Sequence, residues 1–331
     1  MAIRIAAVGL AVAIGLAPLA ALAQQAKKVP RVGTVVSVSP ASWFTFPTSR
    51  AFLDGMRDLG YVEGRDFVIE IRSTEGRAER FPQLSAELAQ LPVDLILVGV
   101  CGAQLNAARF ATRSTPIVVA TCNDDMVEAG VIASMRRPGG NVTGLSKLTP
   151  ELASKRLQLL KQVVPGMKRV AVLWNPAYSD FKADWRELQT AANLLGVSLH
   201  PIEFRRADDL EAAFAAIARE RVDALITFSD VLTYVYAKRI ADLVGAAQLP
   251  AMFPFREVAD AGALMSYGPS LTGMWRRAAD YVVRILKGAN PAEMAIEQPT
   301  RFEFVINLNA AKGLGLTIPQ SIRLQADQVL E

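Results

Sequence analysis

An internal repeat of strand and helix signals limits the possible folds more than any other feature of this chain. Short apolar runs typical of buried strands alternate with apolar stripes at helical spacing, and this order occurs twice. Any two α/β domains could share such landmarks, but their nearly constant offset favours a structural repeat. The landmarks recur at offsets of 138, 136, 129 and 134 residues: Arg31 and Arg169, Gly60 and Gly196, Asp94 and Asp223, and Pro116 and Pro250.

The repeat predicts two βαβ-type halves, each with a parallel sheet covered by helices. In the first half, we expect strands at 31–36, 67–71, 93–98 and 116–120, with helices around 52–59, 81–91, 103–112 and 126–135. In the second half, we expect strands at 169–174, 197–204, 222–228 and 249–253, with helices around 181–195, 210–217 and 232–247. The expected fold class is α/β, with two doubly wound, Rossmann-like lobes.

Several segments are expected to cross between the halves and to form a hinge. The first candidate is a Gly-rich connecting segment at 136–149, and the second is the segment at 262–270, which is followed by a helix at 271–287. The third is a late apolar strand at 302–308. Multiple crossings favour a hinge over a loose linker. The predicted lobes are therefore discontinuous, with residues 30–145 and 268–300 in the first and 146–267 and 301–331 in the second.

The N-terminus has the pattern of a secretory signal peptide. Arg4 precedes an apolar run that ends in Ala21-Leu22-Ala23, a small-x-small cleavage pattern. A membrane anchor is the alternative, but the run is rich in Ala and Gly and lacks a basic flank. We therefore expect residues 1–23 to be removed and the product to be soluble and exported.

Composition argues against several classes of function. The net charge is +4 with scattered basic residues, whereas a nucleic-acid-binding surface needs clustered basic charge. A single histidine, His200, argues against a His-rich metal site and against a Ser-His-Asp triad. We expect His200 to be a strand residue whose ring makes its hydrogen bonds within the protein. Neither a Gly-x-Gly-x-x-Gly turn after the first strand nor a Walker A pattern is found, so no cofactor is expected.

Polar and aromatic residues follow the predicted strands, where parallel α/β sheets bind their ligands. Two halves that face each other would bury a small molecule between these loops, and this mixture of side chains suits stacking and hydrogen bonding. The predicted ligand-binding residues are Ser37, Ser39, Trp43, Gly102, Gln104, Asn123, Asp124, Asn175, Tyr178, Ser229, Asp230, Phe253 and Arg256.

These residues also fit structural interpretations. Arg256 could bind a carboxylate, and Asp124 or Asp230 an ammonium group. However, residues like the Ser229-Asp230 pair and residues 123–125 are more often helix N-caps than ligand-binding groups. Trp43 belongs to an aromatic loop that could instead pack beneath a lobe.

The two cysteines, Cys101 and Cys122, follow neighbouring predicted strands. Their Cα atoms could therefore lie within disulfide range, and an exported protein could keep the bond. Two buried thiols or a cleft nucleophile are the alternatives. His200 is predicted in the other half, which disfavours a Cys-His dyad.

Four motifs resemble one known family. They are Phe-Leu-Asp-Gly-Met-Arg-Asp-Leu-Gly-Tyr-Val-Glu-Gly at 52–64, Arg-Pro-Gly-Gly-Asn-Val-Thr-Gly at 137–144, Gly-Ala-Leu-Met-Ser-Tyr-Gly at 262–268 and Phe-Glu-Phe-Val-Ile-Asn at 302–307. Together they resemble the ABC transporter substrate-binding protein family that includes tryptophan- and tyrosine-binding members. The resemblance implies a type I periplasmic-binding-protein fold with three hinge crossings. It also implies delivery of a small solute to a membrane permease, without catalysis.

The expected function is binding of a small organic ligand, such as an amino acid or other carboxylate, by an exported monomer. Its partners would be the ligand and an ABC permease in the inner membrane, and nucleic acid is not an expected partner. The first alternative is a ligand-sensing module for a membrane receptor. The second is an exported hydrolase or isomerase that uses Asp124 or Asp230 as a base.

Overall fold

A computed structural model describes residues 29–147, 151–176 and 181–331. The predicted signal segment and Tyr178 lie outside these ranges. Within them, the strands form two sheets, one of five strands and one of seven.

The first sheet is parallel throughout. It contains β1 (Arg31–Val36), β2 (Val68–Ser73), β3 (Leu95–Val100), β4 (Ile117–Thr121) and β5 (Val142–Gly144). Their order is β2-β1-β3-β4-β5.

The second sheet is parallel except for one pair. It contains β6 (Arg169–Trp174), β7 (Ser198–Glu203), β8 (Ala224–Thr227), β9 (Ala251–Phe253), β10 (Met265–Pro269), β11 (Phe302–Asn307) and β12 (Gln328–Leu330). Their order is β12-β11-β10-β9-β8-β6-β7. The late strand β11 lies antiparallel to β10, with Met265 opposite Ile306.

The α-helices of the described ranges cover both sheets. They are α1 (Pro40–Trp43), α2 (Pro47–Asp58), α3 (Phe81–Ala89), α4 (Ala103–Ala111), α5 (Glu151–Val163), α6 (Phe181–Leu195), α7 (Leu210–Glu220), α8 (Val231–Val235), α9 (Ala237–Ala246), α10 (Arg256–Asp260), α11 (Leu271–Leu286), α12 (Leu308–Gly313) and α13 (Gln320–Arg323).

Each sheet is buried on both faces, which explains the continuous apolar runs in its central strands. In β3, Leu95 and Leu97 pack in a core with α2 and α11, whereas Ile96 and Val98 pack in a second core with α3 and α4. In the second lobe, alternate residues of β6 likewise enter two cores, one with α5 and α6 and the other with α7 and α9. The predicted α/β class with two doubly wound lobes is confirmed.

Three described segments pass between the lobes. The first follows β5, where Gly144 has φ +133 and a Cβ atom would collide with the carbonyl oxygen of Val119. The second leads from β10 to α11, which returns to pack against α2 of the first lobe. The third precedes β11 and lies beside the first, since the Ser146 amide donates to the Glu297 carbonyl oxygen at 2.8 Å. The hinge thus consists of adjacent crossings held together by backbone hydrogen bonds.

One predicted helix is wrong. Residues 126–135 form turns and bends instead of a helix. The Asp125 carboxylate accepts from the amides of Val127 and Glu128, but Gly130 has φ +62 and ends the helical turn that this cap begins. In addition, the helix expected at 232–247 is divided into α8 and α9 at Tyr236.

None of the helices in the described ranges is long and apolar enough to cross a bilayer.

Candidate functional site

The loops at the carboxyl ends of the two sheets meet across a cleft. Asn123, which follows β4, donates from Nδ2 to the carbonyl oxygen of Ser229, which follows β8, at 2.6 Å. The rings of Phe46 and Tyr234 also approach across the cleft, with their centroids 6.5 Å apart. These contacts join the two lobes directly across the cleft.

Aromatic side chains form the first-lobe wall near α1. Trp43 is 3% exposed and lies edge-on to Phe44, with centroids 5.2 Å apart, and 6.4 Å from the ring of Trp275. Ser39 caps α1 by accepting from the Ser42 amide at 3.1 Å. Ser37 is exposed in the same loop. The predicted aromatic loop therefore combines two roles, because Trp43 packs into the core of the lobe while Phe44 remains exposed.

A polar side chain after β3 holds the ends of β1 and β3 together. Gln104 donates from Nε2 to the Val35 carbonyl oxygen at 2.6 Å and accepts from the Val100 amide at 3.2 Å. The side-chain amide of Gln104 thus links β1 to β3 and supports the loops that follow these strands. Gly102 begins α4 with φ +78, a conformation that favours glycine.

A disulfide joins Cys101 to Cys122, with their Cα atoms 4.9 Å apart. It links the loops that follow β3 and β4. The Cys122 carbonyl oxygen also accepts from the Lys147 amide at 2.6 Å, so the disulfide connects these loops to the first hinge crossing. Asp124 is half-buried in the second loop.

The second-lobe wall contains a buried polar pair. Asp230 caps α8 by accepting from the Leu232 amide at 2.7 Å, and it accepts from Asn175 Nδ2 at 3.3 Å. Asn175 and Asp230 are 7% and 5% exposed. Burial raises the pKa of Asp230, while the hydrogen bonds from Leu232 and Asn175 and the charge of Lys147 partly oppose the rise. Asp230 is therefore both a helix cap and a buried carboxylate near the cleft.

The sequence did not identify Lys147 as a site residue. Its side chain enters the cleft from the first hinge crossing, where Nζ donates to Ser229 Oγ at 3.3 Å and lies 4.9 Å from the centroid of the Phe255 ring. Burial lowers its pKa to about 8, although Asp230 opposes the change. The sequence placed Lys147 in a crossing, but a single lysine in a loop carries no signal of its direction.

Two predicted cleft residues lie elsewhere. Phe253 is completely buried in the core between the second sheet and its helices, because its side chain points from β9 toward the helix layer. Arg256 pairs with Asp260 at 3.1 Å and donates to Gln328 at 2.8 Å. It lines a separate cavity of about 580 Å³ beside the hinge crossings.

The lone histidine lies far from this cleft, at the edge of the second sheet. Its Nε2 atom is 3.1 Å from Ser198 Oγ, and Nδ1 is 3.1 Å from the Glu220 carboxylate. Both ring nitrogens of His200 are therefore satisfied within β7 and its surroundings.

Comparison with known proteins places the chain among binding proteins. Residues 32–330 match the sequence profile of a family described as "ABC transporter substrate binding protein". The tyrosine-binding protein of Clostridioides difficile is 22% identical over 280 residues, which cover 85% of this chain and 78% of that protein.

Two solved structures share the fold over nearly their whole length. The ABC domain in complex with L-Trp from Streptococcus pneumoniae has a TM-score of 0.80 and 23% identity, covering 91% of this chain and 99% of that chain. A conserved domain protein from Vibrio cholerae has a TM-score of 0.81 and 26% identity, covering 91% of this chain and 100% of that chain.

Proposed function

Because the chain belongs to the ABC transporter substrate binding protein family, we propose that it is the exported solute-binding component of an ABC importer. It binds a small organic ligand, an amino acid or other carboxylate, in the cleft between its lobes. It then delivers the ligand to a permease in the inner membrane.

The observation that carries this proposal is the direct approach of the two sheet edges. Asn123 reaches Ser229 across the cleft, and Phe46 lies against Tyr234. Ligands of parallel α/β sheets bind at this edge, so a solute held here contacts both lobes at once. A ligand that interacts better with the closed than with the open state shifts the hinge equilibrium toward closure.

The composition of the two walls supports an organic ligand. Phe44 and Phe46 supply aromatic surface on the first lobe, and Asn175, Ser229 and Asp230 supply hydrogen-bonding groups on the second. Largely apolar pockets with a few placed polar groups are typical of small-molecule sites. The named relatives, one called tyrosine-binding and one complexed with L-Trp, agree with a ligand of this size and chemistry.

Calorimetric titration of the chain lacking residues 1–23 tests the proposal. The panel contains the common amino acids, benzoate and related aromatic acids. We expect saturable binding of at least one member at a 1:1 ratio, and a smaller radius of gyration by X-ray scattering when that ligand is present. Chemical conversion of a panel member, or absence of binding across the panel, would refute the proposal.

Delivery to a permease requires a cellular test. Deletion of the gene should abolish uptake of the radiolabelled ligand, and expression of the intact chain should restore it. Restoration by a chain without residues 1–23 would contradict the proposed export.

A further inference from the structure

The Cys101–Cys122 disulfide lies where the pairing of β3 with β4 ends. Val100 and Thr121 are the last paired residues of these parallel strands, and the bonded cysteines are the next residue of each chain segment. Thr121 also donates from Oγ1 to the Gly99 carbonyl oxygen at 2.7 Å. The disulfide therefore extends the attachment of β4 to β3 by one position, into the loops of the cleft.

The two cysteines belong to segments of different regularity. Cys101 lies beside the start of α4, whose Gln104 side chain bonds to both β1 and β3. Cys122 begins the connection at 122–141, which is described throughout and in which neither helix nor strand forms. Its carbonyl oxygen accepts from the Lys147 amide at 2.6 Å. The disulfide is thus a covalent tie between an irregular segment and the regular scaffold of the first lobe.

Asn123 is the residue directly after this tie. Its Nδ2 atom donates to the Ser229 carbonyl oxygen at 2.6 Å, which joins the first lobe to the second across the cleft. A crosslink at the preceding residue restricts the positions that Asn123 can sample. A loop that is already held in its binding conformation raises affinity, because less ordering is needed when the ligand binds.

The disulfide can be opened by thiol–disulfide exchange. Cys101 is half-buried and Cys122 is completely buried, so we expect a thiolate to attack the sulfur of Cys101. This attack forms a mixed disulfide with Cys101 and releases Cys122 as a thiolate. The second thiol of a dithiol reductant then attacks the mixed disulfide. The reductant leaves as a cyclic disulfide, and its two protons end on the two cysteine thiols.

Resting on the proposed function, we propose that the Cys101–Cys122 disulfide positions Asn123 for its contact with the second lobe, so that reduction by a dithiol weakens solute binding. The oxidised chain binds its solute with an ordered loop after β4. The reduced chain keeps its fold but has to order residues 122–124 upon binding. Solute affinity thereby depends on the redox state of this bond.

Calorimetric titration of the oxidised and the dithiol-reduced chain tests the inference, with L-tryptophan and L-tyrosine as the probes. We expect reduction to weaken binding by about 3- to 10-fold, which is typical of the cost of ordering one side chain and its loop. The double variant Cys101→Ala/Cys122→Ala should bind as the reduced wild type does, and it should not respond to the reductant.

A cycle with Asn123→Ala separates positioning from a general loss of stability. This variant already lacks the contact with Ser229, so reduction should weaken its binding by less than about 2-fold further. Asn106→Ala is the matched control, because Asn106 is exposed on α4. Its response to the reductant should equal that of the wild type.

Amide hydrogen exchange supplies a measurement that needs no ligand. The amides of Val131 and Ile132 donate to the Met126 carbonyl oxygen within the irregular connection. Reduction should accelerate exchange in peptides that cover 122–132 by about 10-fold or more, while exchange in β6 of the second lobe stays unchanged. Equal exchange of 122–132 in both redox states would show that the disulfide does not order this segment, and the inference would fail.

The outcomes separate this inference from the proposed function. Equal affinity in both redox states, or an equal loss upon reduction in the wild type and in Asn123→Ala, overturns the positioning role but leaves solute binding intact. Loss of the near-UV circular dichroism signal upon reduction also overturns it, because the effect would then be one of folding. If no solute binds the oxidised chain, the proposed function fails and the redox dependence of binding fails with it.

Discussion

Reduction of the Cys101–Cys122 disulfide should destabilise the first lobe by a predictable amount. The bond closes a loop with a sequence separation of 21 residues. In the chain-entropy treatment, a loop of this length restricts the unfolded chain by about 11 cal/mol/K, or about 3 kcal/mol at 25 °C. The loop lies wholly within the first lobe, between the ends of β3 and β4, so the second lobe should be unaffected.

Tryptophan fluorescence can report on the first lobe alone. Trp43 and Trp275 contact each other there, while Trp174 and Trp185 belong to the second lobe. In a background carrying Trp174→Phe and Trp185→Phe, urea denaturation follows the first-lobe transition. We expect the free energy of unfolding to fall by about 3 kcal/mol when a dithiol reductant is added.

The double variant Cys101→Ala/Cys122→Ala separates the crosslink from packing. Cys122 is completely buried, so removal of its sulfur should cost about 1 kcal/mol beyond the loss of the crosslink. The reductant should have no effect on this variant. A reduced wild type that loses less than about 1 kcal/mol would show that the loop is already restricted in the unfolded state, and the entropic reasoning would be wrong.

Three further variants or conditions test other parts of the structure. Asn123→Ala removes a neutral hydrogen bond across the cleft and should weaken ligand affinity by about 2- to 10-fold in calorimetry, while the exposed Asn106→Ala should not. Gly144→Ala should lower the free energy of unfolding by more than about 1 kcal/mol, because φ at Gly144 is positive and the new Cβ atom would collide with the backbone of β4. Gly140→Ala is the control and should change the free energy of unfolding little, because no atom lies within 4 Å of a Cβ atom at that position. The pKa of Lys147 is about 8 in the folded state and 10.5 for an ordinary lysine, so between these pH values Lys147 loses its proton in the folded state but keeps it in the unfolded state. The free energy of unfolding of the wild type should therefore rise with pH across this range, relative to that of Lys147→Met. A pH profile parallel to that of K147M would contradict the lowered pKa of Lys147.

Local patterns were sufficient to predict most elements of the fold. The apolar run at 93–98 predicted a strand buried on both faces, and β3 enters two separate cores. The same reasoning failed at 126–135, where apolar residues occur at helical spacing but Gly130 adopts a left-handed conformation. Periodicity describes one face of a segment, whereas the end of a helix depends on a few backbone angles.

The candidate site could be predicted only in part. Position after a strand selected Asn123 and Ser229, which form a hydrogen bond across the cleft because parallel strands end at one edge of a sheet. It also selected Arg256, whose guanidinium points away from the cleft toward Asp260 and Gln328. A loop position therefore locates the backbone, while the partners of a long side chain depend on what surrounds it.

The sequence by itself determined the repeated α/β order, the multiple crossings and the loops that follow each strand, because each follows from local spacing of apolar residues and turns. Only the tertiary structure decided that β11 lies antiparallel to β10 and that Lys147 is enclosed between the lobes. Both depend on segments far apart in the chain. The altered pKa of Lys147 likewise arises from loss of water when those segments meet, and no local pattern of residues records it.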